Sequence, residues 1–304
     1  MGIKWETVVF NSLADWHQEV QVPPPVHPLI SLVDFSDMTA RENREPRRIS
    51  YNFYKVSFVE QPHSSMKYGQ RYYEINEGGL CFISPNQLLT DDGSPLKFSG
   101  MALYFHADLI AKHPLGKKIK QYGFFSYSVA EALQVSGKEK ETIISIFRQI
   151  EEELRSPIDT VSDDILVSYL ELLLNFGDRF YSRQFLTRKV ANNDLLVKVE
   201  NLLATWFEEG QAQQHGLPTV QMLSKQLHIS PDYLSDMLRA YTGQSTQQHI
   251  HHKLIEKAKE LLSNTALSTA EVAYALGFEH PQSFNKLFKR KTQLSPMEFR
   301  EQFN

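Results

Sequence analysis

A repeat in the last third of the chain is the feature that most limits how this protein can fold. The first copy runs from Thr219 to Gly243 and the second from Thr269 to Gln293. Apolar residues recur at an offset of 49 before a short turn and of 50 after it. The matched pairs are Leu223 with Val272, Leu227 with Leu276, Ile229 with Phe278, Leu234 with Phe284, Met237 with Leu287, and Leu238 with Phe288. A repeat that keeps its core positions and varies only in a turn predicts two copies of one supersecondary unit.

Helix-start signals in each copy predict two short helices joined by a tight turn. Ser230-Pro231 places a preferred N-cap before a proline at the first helical position. Capping boxes at Ser245, Ser268 and Ser295 mark three further helix starts. The helix opened by Ser245 is expected to run to about Ser263 and to join the two copies. Each copy is therefore a predicted helix-turn-helix, a motif that places its second helix in the major groove of double-stranded DNA.

The outward face of each predicted second helix supplies the candidate DNA contacts. Gln and Asn can bind adenine through two hydrogen bonds, Arg and Lys favour guanine, and Asp accepts from cytosine. The pattern leaves open which side chains touch bases and which touch phosphates. The candidates are Asp232, Tyr233, Ser235, Asp236 and Arg239 in the first copy and Gln282, Ser283, Asn285, Lys286, Lys289 and Arg290 in the second.

The overall charge gives little support for nucleic-acid binding, but the local charge does. The net charge is −4, with 32 Lys and Arg residues against 36 Asp and Glu residues. Lys286, Lys289, Arg290 and Lys291 nevertheless lie together on the second helix of the second copy. Phosphate contacts need local positive charge, so we expect this helix to carry most of the salt-dependent affinity.

The first part of the chain has a different pattern. Residues 1 to about 25 are expected to form an arm, and aromatic and β-branched runs such as Ile49 to Glu60 predict short strands as far as Phe105. Helical spacing then appears over about 138–181. The stretch up to Asn193 is expected to be a linker, Asp194 to cap the next helix, and 208–216 to be a loop. The predicted class is α+β with two domains, 1–185 and 186–304, the second with seven helices.

The repeat region resembles the AraC/XylS family of bacterial transcription regulators. The resemblance rests on Ala273, Gly277-Phe278, Phe284, Phe288-Lys289-Arg290, Ser295-Pro296 and Phe299-Arg300. Two departures are Gln293, where the family usually has Gly, and Lys253, where Arg is usual. The resemblance implies an N-terminal cupin-like β-barrel, followed by helices that dimerise, and regulation by a small ligand. It also implies promoter DNA, a homodimer and RNA polymerase as partners.

Several alternatives stay open at this point. The wide apolar face of the helix after Asp163 fits either dimer contact or burial within its own domain. Aromatic residues at Phe53, Tyr54, Phe58, Tyr72, Phe82 and Tyr104 are candidate ligand contacts or simply core. The regulator could also lack a small effector and respond to a protein partner or to its own abundance.

A metal-dependent cupin enzyme with a DNA-binding tail is disfavoured, because His27, His63, His106 and His113 are isolated and a catalytic metal needs three oriented ligands. We therefore expect no enzyme activity, no cofactor and no metal. One cysteine, Cys81, excludes an intrachain disulfide. No signal peptide or membrane span is predicted, so a cytoplasmic location is expected.

Overall fold

The computed structural model describes residues 6–38, 45–62, 66–68, 71–73, 78–91, 98–128, 131–187 and 189–302. The chain divides into two compact units, Met1–Gln184 and Phe185–Asn304. The first unit is rich in β-strands and the second is helical in its described residues. No helix among the described residues is long and apolar enough to cross a membrane.

The strands of the first unit form three separate sheets in the part of the chain that the structure describes. The strands are β1 (Glu6–Phe10), β2 (Ile30–Asp34), β3 (Arg47–Tyr51), β4 (Tyr54–Pro62), β5 (Met66–Tyr68), β6 (Arg71–Tyr73), β7 (Gly79–Ile83), β8 (Leu89–Asp91), β9 (Phe98–Phe105) and β10 (Leu133–Gln134). Their orders are β1-β3-β8, β10-β7-β4-β9-β2 and β5-β6. The β-rich half is thus confirmed, whereas these described pairings do not close into one barrel.

The five-stranded sheet buries both of its faces, and its register decides which side chains share a face. Lys55 lies opposite Tyr104, and its neighbour Val56 lies opposite Leu103. Because side chains alternate along a strand, Tyr104 and Leu103 point to opposite sides. Tyr104 joins a buried cluster with Phe10, Trp16, Tyr51 and Phe53, among others. Phe82 and Tyr54 lie on the other face, where Phe82 packs on Phe124 and Tyr54 on Phe125.

Residues 6–25, the described part of the predicted arm, are not a simple arm, so that prediction is wrong for them. β1 pairs in parallel with β3, with Val8 opposite Ile49. A helix, α1 (Leu13–Val20), follows and begins with a capping box between Ser12 and Asp15. The predicted strand from Ile49 to Glu60 is also divided, because β3 ends at Tyr51 and β4 begins at Tyr54. The apolar side chains of β1 and α1, among them Phe10 and Trp16, point into the buried cluster around Tyr104. The spacing of residues along the sequence does not reveal this contact.

The two long helices of the first unit extend slightly beyond the predicted span of about 138–181. They are α4 (Gly137–Arg155) and α5 (Ser162–Thr187), and the short helices α2 (Ala107–Ile110) and α3 (Pro114–Lys118) precede them. The predicted linker is wrong, because α5 continues to Thr187 and α6 (Lys189–Glu208) already includes Asn193. Phe180, Tyr181 and Phe185 are buried and prolong the apolar side of α5. Asp194 is an exposed residue inside α6 and caps nothing.

Eight helices form the described part of the second unit, one more than predicted. After α6 come α7 (Gln211–His215), α8 (Val220–Leu227), α9 (Pro231–Thr242), α10 (Thr246–Asn264), α11 (Thr269–Ala275), α12 (Pro281–Thr292) and α13 (Pro296–Glu301). The extra helix is α7, in the stretch expected to be a loop. Ala212 in α7 is fully buried, and Trp206 donates a hydrogen bond from Nε1 to the Gly216 carbonyl at 3.0 Å. This contact anchors a segment whose polar composition resembles a loop.

Candidate nucleic-acid interface

The repeated sequence folds into two helix-turn-helix motifs, α8–α9 and α11–α12. Thr219 Oγ1 accepts from the Met222 amide at 3.1 Å and caps α8, and Ser230 Oγ accepts from the Tyr233 amide at 3.3 Å and caps α9. Ser268 forms a capping box with Glu271 at the start of α11. The hydrogen bond from the Ser268 amide lowers the pKa of Glu271. The predicted helix starts are confirmed, and at α12 the N-cap residue His280 makes no side-chain capping hydrogen bond.

Each second helix ends with the same hydrogen bonds. Thr242 Oγ1 donates to the Leu238 carbonyl at 2.7 Å, and Thr292 Oγ1 donates to the Phe288 carbonyl at 2.8 Å. The next residue is left-handed in both copies, Gly243 with φ 76° and Gln293 with φ 67°. The offset of 50 residues therefore applies to the backbone as well as to the core. A left-handed residue after a helix is favourable for glycine and costs energy for glutamine.

The first helix of each motif ends at a left-handed residue, and these two residues still match at an offset of 49, so the extra residue lies later in the turn, between Phe278 and Pro281. In the first motif, His228 is left-handed with φ 57° at the end of α8. In the second motif, Leu276 ends α11 and Gly277 has φ 88°. A Cβ added at Gly277 would lie 2.6 Å from the Ala212 carbonyl oxygen, so this turn packs directly on α7. Only glycine fits both the backbone angle and the close approach.

The predicted inward and outward faces of α12 are both observed. Phe284, Leu287 and Phe288 are buried in the core of the second unit. The six candidate contacts on the other face are all exposed: Gln282, Ser283, Asn285, Lys286, Lys289 and Arg290. Their side chains share one surface, because they fall on the side of the helix away from its buried residues. This surface contains two amides, one hydroxyl and three cations, which are the groups that bind base edges and phosphates.

On α9 the candidate contacts are more involved in contacts within the protein. Asp232 and Arg239 are exposed, and Arg239 forms an ion pair with Asp236 at 3.3 Å. Ser235 Oγ lies 3.1 Å from the hydroxyl of Thr246, which is fully buried. Tyr233 is partly buried, and its ring packs edge to face on Phe185 at 5.2 Å. Asp232 and Arg239 are therefore the predicted α9 contacts that are most accessible.

The electrostatic character of the two second helices differs strongly. α12 carries Lys286, Lys289, Arg290 and Lys291 and no acidic residue, whereas α9 carries two aspartates and one arginine. No described side chain forms an ion pair with any of the four cations of α12. Two of these cations also act on a residue of α10. Burial lowers the pKa of His251, and the positive charges of Lys291 and Arg290 lower it further. The positive charge at the end of α12 is therefore free to attract phosphate.

The helix α10 joins the two motifs and is held at both ends. At its start, the Ser245 amide donates to Gln248 Oε1 at 2.7 Å. At its end, Arg300 on α13 donates from Nε to the Leu262 carbonyl at 3.1 Å and from Nη2 to the Leu267 carbonyl. The bond to Leu262 satisfies one of the carbonyl groups that a helix end leaves without partners, and the bond to Leu267 holds the connection to α11. The sequence pattern included Arg300 but did not reveal that it serves α10.

The predicted ligand contacts of the first unit do not form one group. Phe53 and Tyr104 lie in the same buried cluster, with ring centroids 6.0 Å apart. Tyr54 and Phe82 lie on the opposite face of the sheet. Phe58 is on that face too, where the Lys140 ammonium lies 5.9 Å from its ring centroid. The side chain of Tyr72 lies outside the described residues.

Comparison with known proteins agrees with this geometry. The family described as "helix-turn-helix domain" matches residues 223–302. The transcriptional activator RhaS of Escherichia coli (strain SMS-3-5 / SECEC) is 28% identical over 266 residues, which cover 83% of this chain and 86% of RhaS. These matches support the resemblance of the chain to AraC/XylS-family regulators. The regulator YijO of Escherichia coli (strain K12) is 34% identical over 86 residues, which cover 28% of this chain and 30% of YijO.

The match to RhaS includes both units of this protein, whereas the match to YijO covers less than a third of either chain. Among solved structures, the C-terminal domain of the response regulator yesN from Fusobacterium nucleatum is 34% identical, with a TM-score of 0.29 and coverage of 33% of this chain and 95% of that domain. The protein is a DNA-binding transcription regulator and not an enzyme.

Proposed function

We propose that α9 and α12 are the two recognition helices of this AraC/XylS-family regulator and that they enter neighbouring major grooves of promoter DNA. The observation that carries this proposal is the surface of α12, where six exposed polar or cationic side chains lie opposite a buried apolar face. The helix between the motifs, α10, has 19 residues and is about 28 Å long at 1.5 Å per residue. That length is similar to the ~34 Å between major grooves on one side of DNA.

The two helices have different roles in this proposal. α12 supplies most of the phosphate attraction through Lys286, Lys289, Arg290 and Lys291. α9 supplies selectivity through Asp232 and Arg239, because an aspartate near phosphate is repelled and gains only from a base that donates to it. Tyr233, Ser235 and Asp236 then position α9, since each is partly buried and contacts another side chain of the protein.

The first unit, residues 1–185, is proposed to bind a small effector and to form a homodimer, and residues 186–304 are proposed to bind DNA. A buried aromatic cluster with residues from two sheets, beside the Lys55 ammonium and with the Trp16 N–H inside it, supports effector binding. Exposed Ile165 and Leu172 on α5, 36% and 44% exposed, support a dimer contact. RNA polymerase is the expected further partner at a promoter, and the cytoplasm is the expected location.

The decisive experiment is to capture fragmented genomic DNA with the purified full-length protein and to sequence what is bound. The matched control is the variant in which Lys286 and Lys289 are both replaced by Ala, which keeps the buried face of α12 intact. We expect a few promoter sites, each with two elements about one helical turn apart, and loss of these sites in the control. Equal capture by both proteins would refute the role of α12.

Effector control is tested on one captured site. DNA affinity is measured with and without the small-molecule fraction of a cell extract, and the bound compound is identified by mass spectrometry after the protein is re-isolated. A change in DNA affinity together with a retained compound supports control by an effector. Unchanged affinity and no retained compound would instead favour control by a protein partner or by abundance.

A further inference from the structure

A lysine lies on the inner face of the five-stranded sheet, where an apolar residue is expected. Lys55 in β4 is paired with Tyr104 in β9 and with Ile83 in β7. Residues paired across neighbouring strands point to the same face. Tyr104 and Ile83 belong to the buried cluster of the first unit, so the Lys55 side chain points toward that cluster as well.

The surroundings of the Lys55 ammonium are aromatic. Nζ lies 5.6 Å from the ring centroid of Tyr104 and 5.9 Å from that of Phe35. Among the described residues, no carboxylate forms an ion pair with Lys55. Burial lowers the pKa of the Lys55 amine to about 8, opposed by its interaction with Cys81. The Lys55 side chain is partly buried, and a charged amine without an acidic partner is costly among aromatic rings, because proteins usually pair charges that are removed from water.

A second donor, which is buried, lies beside the same tyrosine. Trp16 is 5% exposed, and its ring centroid is 5.8 Å from that of Tyr104. The Trp16 Nε1–H group has no hydrogen-bond partner among the described residues. A buried N–H group that is left without an acceptor is rare in native proteins. Trp16 and Lys55 thus bring two kinds of donor to one aromatic cluster.

We propose that the first unit binds a small organic anion, with its carboxylate at Lys55 and its apolar part among the aromatic rings beside Tyr104. This inference rests on the proposed control by an effector and assigns the chemical class of that effector. An ammonium and an indole N–H both donate and neither accepts, so the pair favours a carboxylate over a cation. The aromatic rings favour a flat or apolar body over a sugar, whose hydroxyl groups need acceptors as well as donors.

The test uses benzoate as the probe and benzamide, its uncharged counterpart of the same shape, as the comparison. Binding to the full-length protein is measured by isothermal titration calorimetry at pH 7. We expect benzoate to bind at least tenfold more tightly than benzamide, and Lys55→Met to reduce benzoate affinity at least tenfold. The matched control is Lys140→Met, because Lys140 also lies over an aromatic ring but pairs with Glu60 at 3.0 Å on the other face. This control should bind benzoate normally.

A second variant keeps the test valid if Lys55→Met does not fold. Trp16→Phe keeps an aromatic ring and removes only the N–H donor, and we expect it to weaken benzoate binding severalfold and to leave benzamide binding much less affected. Any of three results would overturn the anion site. These are equal binding of benzoate and benzamide, no binding of benzoate, or full benzoate affinity in both Lys55→Met and Trp16→Phe. Control by an effector would still stand if a neutral compound from the cell extract changed DNA affinity.

Discussion

Replacing Gln293 by glycine should stabilise the second unit, because this residue is left-handed at the end of α12. Its φ of 67° is close to the 76° of Gly243 at the matching position of the first motif. The left-handed conformation costs an L-residue about 1–2 kcal/mol. Glycine avoids this cost but loses about 0.4–1 kcal/mol through the greater freedom of its unfolded chain. The Gln293 side chain adds little, since its bond to the Arg290 carbonyl is exposed and 3.4 Å long.

The expected net gain in the free energy of unfolding is about 0.5–1 kcal/mol, or roughly 2–6 °C in the melting temperature of a unit of this size. It can be measured by calorimetry of the full-length protein, following the transition that added operator DNA raises. Gly243→Ala should lower the same transition, since it places a Cβ on a left-handed residue. Gln302→Gly is the matched control, because Gln302 ends α13 in the right-handed region with φ −76°. An unchanged or lower melting temperature for Gln293→Gly, with Gly243→Ala destabilised, would refute the reasoning.

Four further predictions concern the interface and the first unit. Lys289→Ala should weaken binding to all DNA sequences and reduce the magnitude of the slope of log affinity against log salt concentration by about 0.9. The slope is measured by fluorescence anisotropy at several salt concentrations, and an unchanged slope would exclude a phosphate contact by Lys289. Arg239→Ala should instead change the preference at one base pair by about 1–3 kcal/mol in binding to single-base variants of the site, and uniform weakening would contradict this. His280→Ser should add the missing cap of α12 and raise its stability by about 1 kcal/mol, seen as slower amide exchange in the first turn of α12. The pKa of Lys55 is lowered from 10.5 to about 8, so the charged amine destabilises the fold fully below pH 8 and ceases to do so as the pH rises toward 10.5. The free energy of unfolding should therefore rise by up to about 3 kcal/mol over this range, measured by denaturant titration at several pH values, and Lys55→Met should not show that rise.

The sequence predicted the second unit in detail because most of its signals are local. Caps such as Ser230 and Ser268 act within one helical turn, and the apolar spacing around Leu234 and Phe284 sets the buried faces of α9 and α12 directly. The outward positions follow from the same spacing, so the α12 surface was predicted residue by residue. Local rules worked less well in the stretch up to Asn193, where polar composition suggested a linker and the structure has the end of α5 and the start of α6.

In the first unit the tertiary structure decided what the sequence could not. The strand pattern identified a β-rich domain, but the pairing of β1 with β3 joins residues more than 40 positions apart, and no local signal encodes such a contact. The aromatic residues named as candidate ligand contacts or core are divided between two faces of one sheet, since Phe53 and Tyr104 lie on one side and Phe82 on the other. Lys55 was overlooked because a single lysine in a strand usually points to water. Its inward position follows only from the register that places it opposite Tyr104, and register is set by long-range packing rather than by the strand's own residues.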